Sequence, residues 1–203
     1  DGSLEIDVST PWEAWVPNLS QSVTALLPQS GTARANGNIV VDLNGGTLSP
    51  RGTLALSDIS GKLNGQQYLV NAHAMDFRGP LLSSDSVHLS WAGNVGVATL
   101  NDLSWKSLSN FEPLRGKIDV AAESINVPPF LAWWNHLDRD ASQSAQLLPA
   151  GSELTLHVQS DVLEWDALMC RQLDVTSKIE RSRWTIYSAR FQGLEGKAHV
   201  EGA

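Results

Sequence analysis

The sequence reads as a mainly β protein: a long, curved antiparallel meander carrying two short helices. Three observations predict this. Period-two alternation of apolar and polar residues recurs along most of the 203 residues. Turn signals rich in Gly and Asn interrupt it at intervals on the order of 8–15 residues. Helical spacing replaces the alternation in only two stretches.

The alternation begins at once. Leu4, Ile6 and Val8 alternate with Glu5 and Asp7. The first helical stretch is TPWEAWVPNLSQSVTALLP, residues 10–28. Thr10 suits an N-cap, Pro11 a first turn, and Glu13 completes a capping box. Leu19, Val23 and Leu26 then fall on one face, with Pro17 kinking or splitting the element. Strand patterns follow through Ile39, Val41 and Leu43, then Leu54 and Leu56, then Val87, Leu89 and Trp91, then Ile118 and Val120. The second helical stretch, residues 128–148, begins PPFLAWWNHL, and Phe130, Trp134, Leu137 and Ala141 form its stripe. Beyond it come Leu154, Leu156 and Val158, then Leu173, Val175 and Ile179, and finally Tyr187, Ala189 and Phe191. Each set has one apolar face, as antiparallel strands packed on one side require. Asn44-Gly45-Gly46, Asn64-Gly65, Arg78-Gly79-Pro80, Gly93-Asn94 and Glu180-Arg181-Ser182 are the turns expected between them.

The two helical stretches occupy equivalent places. Each follows a short strand of similar sequence (GSLEIDV from Gly2, GKIDV from Gly116), contains Gln-Ser and ends in Leu-Leu-Pro. The strands after them reach MDFRG in one case and ARFQG in the other. This is a degenerate repeat, giving a first module over 1–113 and a second over 114–203, with a continuous sheet possible.

Composition removes several function classes. A net charge of −8 and a pI near 5.0 argue against a phosphate-binding footprint, so no nucleic-acid partner is expected. No Lys or Arg run suits an acidic membrane surface. Cys170 is the only cysteine, so no intramolecular disulfide exists; it is expected as a small buried residue. No apolar run is long enough to span a bilayer as a helix. The chain begins at Asp1 and ends EGKAHVEGA, so an anchor or targeting signal is expected outside it.

Catalytic and metal motifs are equally scarce. His73, His88, His136, His157 and His199 are scattered, and on a helix His136, Asp138 and Asp140 do not converge on one ion. His157 falls on the polar phase of its strand and is expected exposed. There is no nucleophile elbow, phosphate loop or dinucleotide fingerprint. We therefore expect no enzyme, no cofactor and no metal. The eight Trp could form a sugar-stacking platform, but Trp91 shares the phase of Val87 and Leu89, which favours packing or groove lining.

A meander of about fourteen strands has a long apolar face, and two short helices cannot cover it. Barrel closure, a second stacked sheet, or a curved open sheet holding an apolar ligand would each resolve this.

LRGKIDVAAESINVPPFLAWW (114–134) and the strand series from Leu154 to Gly202 resemble the AsmA-like family of Gram-negative envelope proteins, the bridge-like group that includes AsmA, TamB, YhdP and YdbH. The resemblance implies a taco-shaped β-groove in the periplasm, anchored to the inner membrane by a segment outside this chain. It implies a phospholipid or other acyl-chain lipid as the partner, conducted between the inner and outer membranes, with envelope proteins as further partners. The lining role then falls on apolar-phase residues: Leu54, Leu56, Val87, Leu89, Trp91, Leu154, Leu156 and Val158. Phe130, Trp134 and Leu137 would point into the apolar face as a plug or cap. The alternatives are a non-transporting scaffold that docks proteins along a sheet edge, and a carbohydrate-binding β-sandwich.

Overall fold

The computed structural model describes residues 5–6, 30–44, 47–63, 65–105, 113–132, 148, 150–180, 183–193 and 197–201. Nearly all of them lie in one eleven-stranded sheet whose spatial order follows the chain. The strands are β1 (Glu5–Ile6), β2 (Ser30–Asn44), β3 (Thr47–Leu63), β4 (Gln66–Arg78), β5 (Leu81–Trp91) and β6 (Asn94–Ser104). They continue as β7 (Arg115–Asn126), β8 (Glu153–Trp165), β9 (Leu168–Glu180), β10 (Arg183–Gln192) and β11 (Lys197–Glu201). Among the described residues β1 and β11 are not paired with each other, so the sheet is open rather than a barrel.

Gly65 lies between β3 and β4, Gly79-Pro80 between β4 and β5, and Gly93 between β5 and β6, as expected; Gly45-Gly46, Asn64 and Arg181-Ser182 of the other expected turns lie outside the described residues. Among the described residues the strands are long, and β3 runs unbroken from Thr47 to Leu63. A bulge absorbs its irregularity there: Asp58 has a φ of +56°, and its N–H donates to Asn71 Oδ1 at 2.8 Å. A second bulge in β6 places Asp102 at φ +47°, with its N–H on Ser83 Oγ at 3.3 Å. Such bulges bend the strands that carry them, which suits a sheet this wide.

One junction departs from the expected antiparallel order. β7 and β8 pair in parallel, with Ile118 opposite Leu156 and Val120 opposite Val158. A parallel pair needs a crossover of a dozen residues or more, and residues 127–152 supply it. The crossover opens with a helix, α1, described over 127–132. The returning chain is latched at the seam: Leu114 N–H donates to Ser152 Oγ and Glu153 N–H donates to the Leu114 carbonyl, both at 2.8 Å. The expected helix over 10–28 lies outside the described residues, as does most of the stretch 133–148.

The core lies on one face of the sheet. Ala72, Val87 and Ala98 form its buried centre, with Leu56, Val70, Met75, Leu89, Leu100, Ile118 and Val120 packed around them. Asp119, His157 and Thr176 stand in register on the other face. The sheet is continuous across the boundary between residues 113 and 114, since β6 pairs with β7.

Candidate functional site

Strand register turns the alternation into continuous apolar rows. Leu56, Ala72, Val87, Ala98, Val120, Val158, Val175 and Ala189 stand opposite one another across eight successive strands, β3 to β10. A neighbouring row runs Ile59, Val70, Leu89, Gly96, Ala122, Ser160 and Leu173. On the other side run Ser84, Leu100, Ile118, Leu156, Ser177 and Ile186. No charged residue interrupts these three rows.

The serines do not spoil the face. Ser84, Ser160 and Ser177 are all buried. Their hydroxyls donate to main-chain carbonyls, Ser84 to Ala74 at 2.6 Å, Ser160 to Val162 at 2.7 Å and Ser177 to Leu156 at 3.3 Å. A hydroxyl satisfied by its own sheet offers no polar group to a ligand above it. These serines therefore act as small residues. With Gly96, Ala98 and Ala122 they are the small residues that alternate with larger aliphatics along the rows.

All eight lining candidates stand on this face. Leu56, Val87, Leu89, Leu156 and Val158 belong to the rows above, and Leu54 lies across from Met75, which packs on the core cluster. Leu154 is buried between Gly116 and Ile179. Trp91 ends the face on β5, opposite Tyr68. Of the plug candidates, Phe130 meets the Trp91 ring edge-on, with centroids 4.9 Å apart, so α1 begins over the apolar side. Trp134 and Leu137 lie outside the described residues.

Asn94 fixes where α1 starts. Its Oδ1 accepts from Asn126 N–H at 2.6 Å, and its Nδ2 donates to the Trp91 carbonyl at 3.2 Å. The ends of β5, β6 and β7 are thus tied by one side chain, just before the helix leaves the sheet. A cavity of about 500 Å³ opens there, lined by Gln66, Trp91, Asn126, Pro128, Pro129, Ala132, Glu164 and Asp166. Around this end Phe130, Leu131, Trp165, Leu168 and Met169 are exposed.

The polar face carries a different arrangement, invisible without register. His157 Nδ1 stands 3.0 Å from Asp119 Oδ1, and its Nε2 stands 3.2 Å from Asp174 Oδ1. The ring is half-buried rather than exposed as expected, because it bridges three strands across the parallel seam. Burial alone would raise the Asp119 pKa, but hydrogen bonds from Lys117 and His157 outweigh it and hold the carboxyl below its usual value. Lys178 is shifted up by its hydrogen bonds to Glu153 and Glu180. The two carboxylates lie on opposite sides of the imidazole, so the group does not converge on a point. Among the described residues no cluster is arranged to hold a metal ion, and no helix is long and apolar enough to cross a membrane.

Two further expectations need correction. Cys170 is half-buried, not buried, because it stands near the β8–β9 hairpin end opposite Leu163. Tyr187 does not share the inward phase of Ala189: a register shift between Ile186 and Ser188 leaves it out of the ladder and exposed. The Trp residues divide as well. Trp105 is buried against Phe77, whereas Trp165 and Trp184 are exposed.

A scan against protein-family models finds no matching family, and no curated protein or solved structure matches the chain.

Proposed function

We propose that this chain is part of an AsmA-like envelope protein, and that the apolar face of its open sheet shields phospholipid acyl chains crossing the periplasm between the inner and outer membranes. The reading rests on one observation: rows of apolar residues run in register across eight strands, with their few hydroxyls turned back onto the backbone. An enzyme would need convergent polar groups on this face. A conduit needs only that hydrocarbon be covered all along the path, with headgroups left in water.

The energetics suit such a role. Covering a methylene is worth about 0.8 kcal/mol, so a chain of about fifteen methylenes sheltered on one side gains on the order of 6 kcal/mol. That is enough to hold a lipid out of water, and it is spread evenly enough that no single position traps it. The lining is assigned to Leu54, Leu56, Val87, Leu89, Trp91, Leu154, Leu156 and Val158, and the protein would be held at the inner membrane by a segment outside this sequence.

Detergent-free purification followed by organic extraction and mass spectrometry tests the proposal. Phospholipid should co-purify in near-stoichiometric amount. Val120 and Val158 are half-exposed on the central row, so a Val120→Asp, Val158→Asp variant can hydrate its charges when lipid-free but not beneath an acyl chain. Its lipid content should fall at least about tenfold, because desolvating a carboxylate costs several kcal/mol. Wild-type protein devoid of lipid, or a variant that retains its lipid, would overturn the reading.

A further inference from the structure

The cavity beside α1 differs in character from the face it adjoins. Glu164 lies on the apolar side of β8, since it shares the phase of Val158, Ser160 and Val162 and stands opposite Asn126. Asp166 follows in the β8–β9 turn at a φ of +52°. Two carboxylates thus meet Trp91, Pro128, Pro129 and Ala132 around one space of about 500 Å³, with neither Lys nor Arg in the lining.

The start of a helix ordinarily favours anions, because its first N–H groups are free. Here Pro128 and Pro129 remove two of those donors. What remains is an aromatic ring, apolar methylenes, the neutral amides of Gln66 and Asn126, and the negative charge of Glu164 and Asp166; an aromatic ring beside negative charge is the combination that recognises an ammonium group. Phosphate would find two carboxylates and no cation.

We infer that this cavity holds the ammonium group of a zwitterionic phospholipid, its charge met by Glu164 and Asp166 and its carbon substituents resting on Trp91 and the prolines. The inference rests on the conduit reading, since it places the headgroup at the end of the rows that carry the acyl chains. Leu89 of the second row lies two residues from Trp91 on β5, so a chain leaving the cavity passes directly onto the apolar face. The exposed Trp165, Leu168 and Met169 stand at the same end of the sheet. The site would let the groove select lipids by headgroup at one point while remaining indifferent along its length.

The test loads purified protein from vesicles of phosphatidylethanolamine or of phosphatidylglycerol with identical acyl chains, and compares wild type with a Glu164→Gln, Asp166→Asn variant. Both substitutions are close to isosteric, and Asn tolerates the positive φ of residue 166 as Asp does. Wild type should load the ethanolamine lipid about tenfold better, and the variant should reduce the preference to within twofold while loading the glycerol lipid undiminished. Equal loading by wild type, or an unchanged preference in the variant, overturns the headgroup site and leaves the conduit standing. Failure to load either lipid contradicts the conduit. In that event, titration of the Trp91 indole NMR signal with glycerophosphocholine decides the cavity separately. A shift lost in the variant supports an ammonium site without a groove, and no shift overturns the site as well.

Discussion

Gly116 opens β7 beside the parallel seam, and replacing it with Ala should damage the fold more than its size suggests. Its φ is +149°, a conformation that L residues rarely adopt. A Cβ there would lie 2.7 Å from Leu103 Cδ2, 2.9 Å from Leu103 Cα and 3.0 Å from the Asp102 carbonyl oxygen. The methyl could swing away, but the other two atoms belong to the backbone of the β6 bulge and can yield only if the strands part. The backbone strain costs about 1–3 kcal/mol and the overpacking about 1–3 kcal/mol, so Gly116→Ala should lose about 2–6 kcal/mol. At about 2–4 °C per kcal/mol for a chain of this size, Tm should fall by roughly 4–24 °C. Gly65→Ala is the control. Gly65 also has a positive φ, +75°, but nothing lies within 4 Å of its Cβ. It pays only the conformational cost of about 1–2 kcal/mol. Urea unfolding followed by Trp fluorescence measures both. Two variants equally destabilised, or a Gly116→Ala protein within about 0.5 kcal/mol of wild type, would refute the close approach of β6 and β7 at this bulge.

Two other perturbations follow from the polar side chains. Because the Asp119 carboxyl is held below its ordinary pKa of 3.8, the stability it contributes is present above that value and is lost as pH falls through the depressed folded-state value. Asp119→Asn should therefore flatten the acid limb of a plot of urea midpoint against pH, below the ordinary carboxylate value of 3.8; an unchanged limb would mean that the Lys117 and His157 contacts do not hold the carboxylate. Asn94→Ala removes the acceptor of Asn126 N–H and a donor to the Trp91 carbonyl, which should cost about 1–3 kcal/mol. Faster hydrogen exchange at the Asn126 amide, with the middle of β7 unaffected, is the expected signature.

What could be read in advance was periodic. The turn signals at Gly65, Gly79-Pro80 and Gly93-Asn94 and the inward phase of Leu54, Leu56, Val87, Leu89, Leu154, Leu156 and Val158 depend only on neighbouring residues, and local chemistry decides them. What could not be read was register and direction. Ile118 and Val120 alternate identically whether β8 lies parallel or antiparallel to β7, and only the length of the intervening segment hints at a crossover. His157 looked like an ordinary polar-face residue because Asp119 and Asp174, far off in sequence, become its neighbours only once the register is set. The bulges at Asp58 and Asp102, and the slip at Tyr187, break a strict count of two for the same reason. Glu164 was legible: counting even positions on from Val158 places a carboxylate on the apolar face, an anomaly that marks the cavity.

The central claim concerns one face of one sheet, so the most direct measurement compares its two faces. The photo-crosslinker p-benzoylphenylalanine can replace Val120 or Val158 on the apolar rows, and Thr99 or Thr155 on the opposite face. After irradiation of intact cells and mass spectrometry of the purified protein, phospholipid adducts should form at Val120 and Val158 and be absent at Thr99 and Thr155. Adducts at equal yield on both faces, or none on the apolar rows, would contradict an acyl-chain conduit.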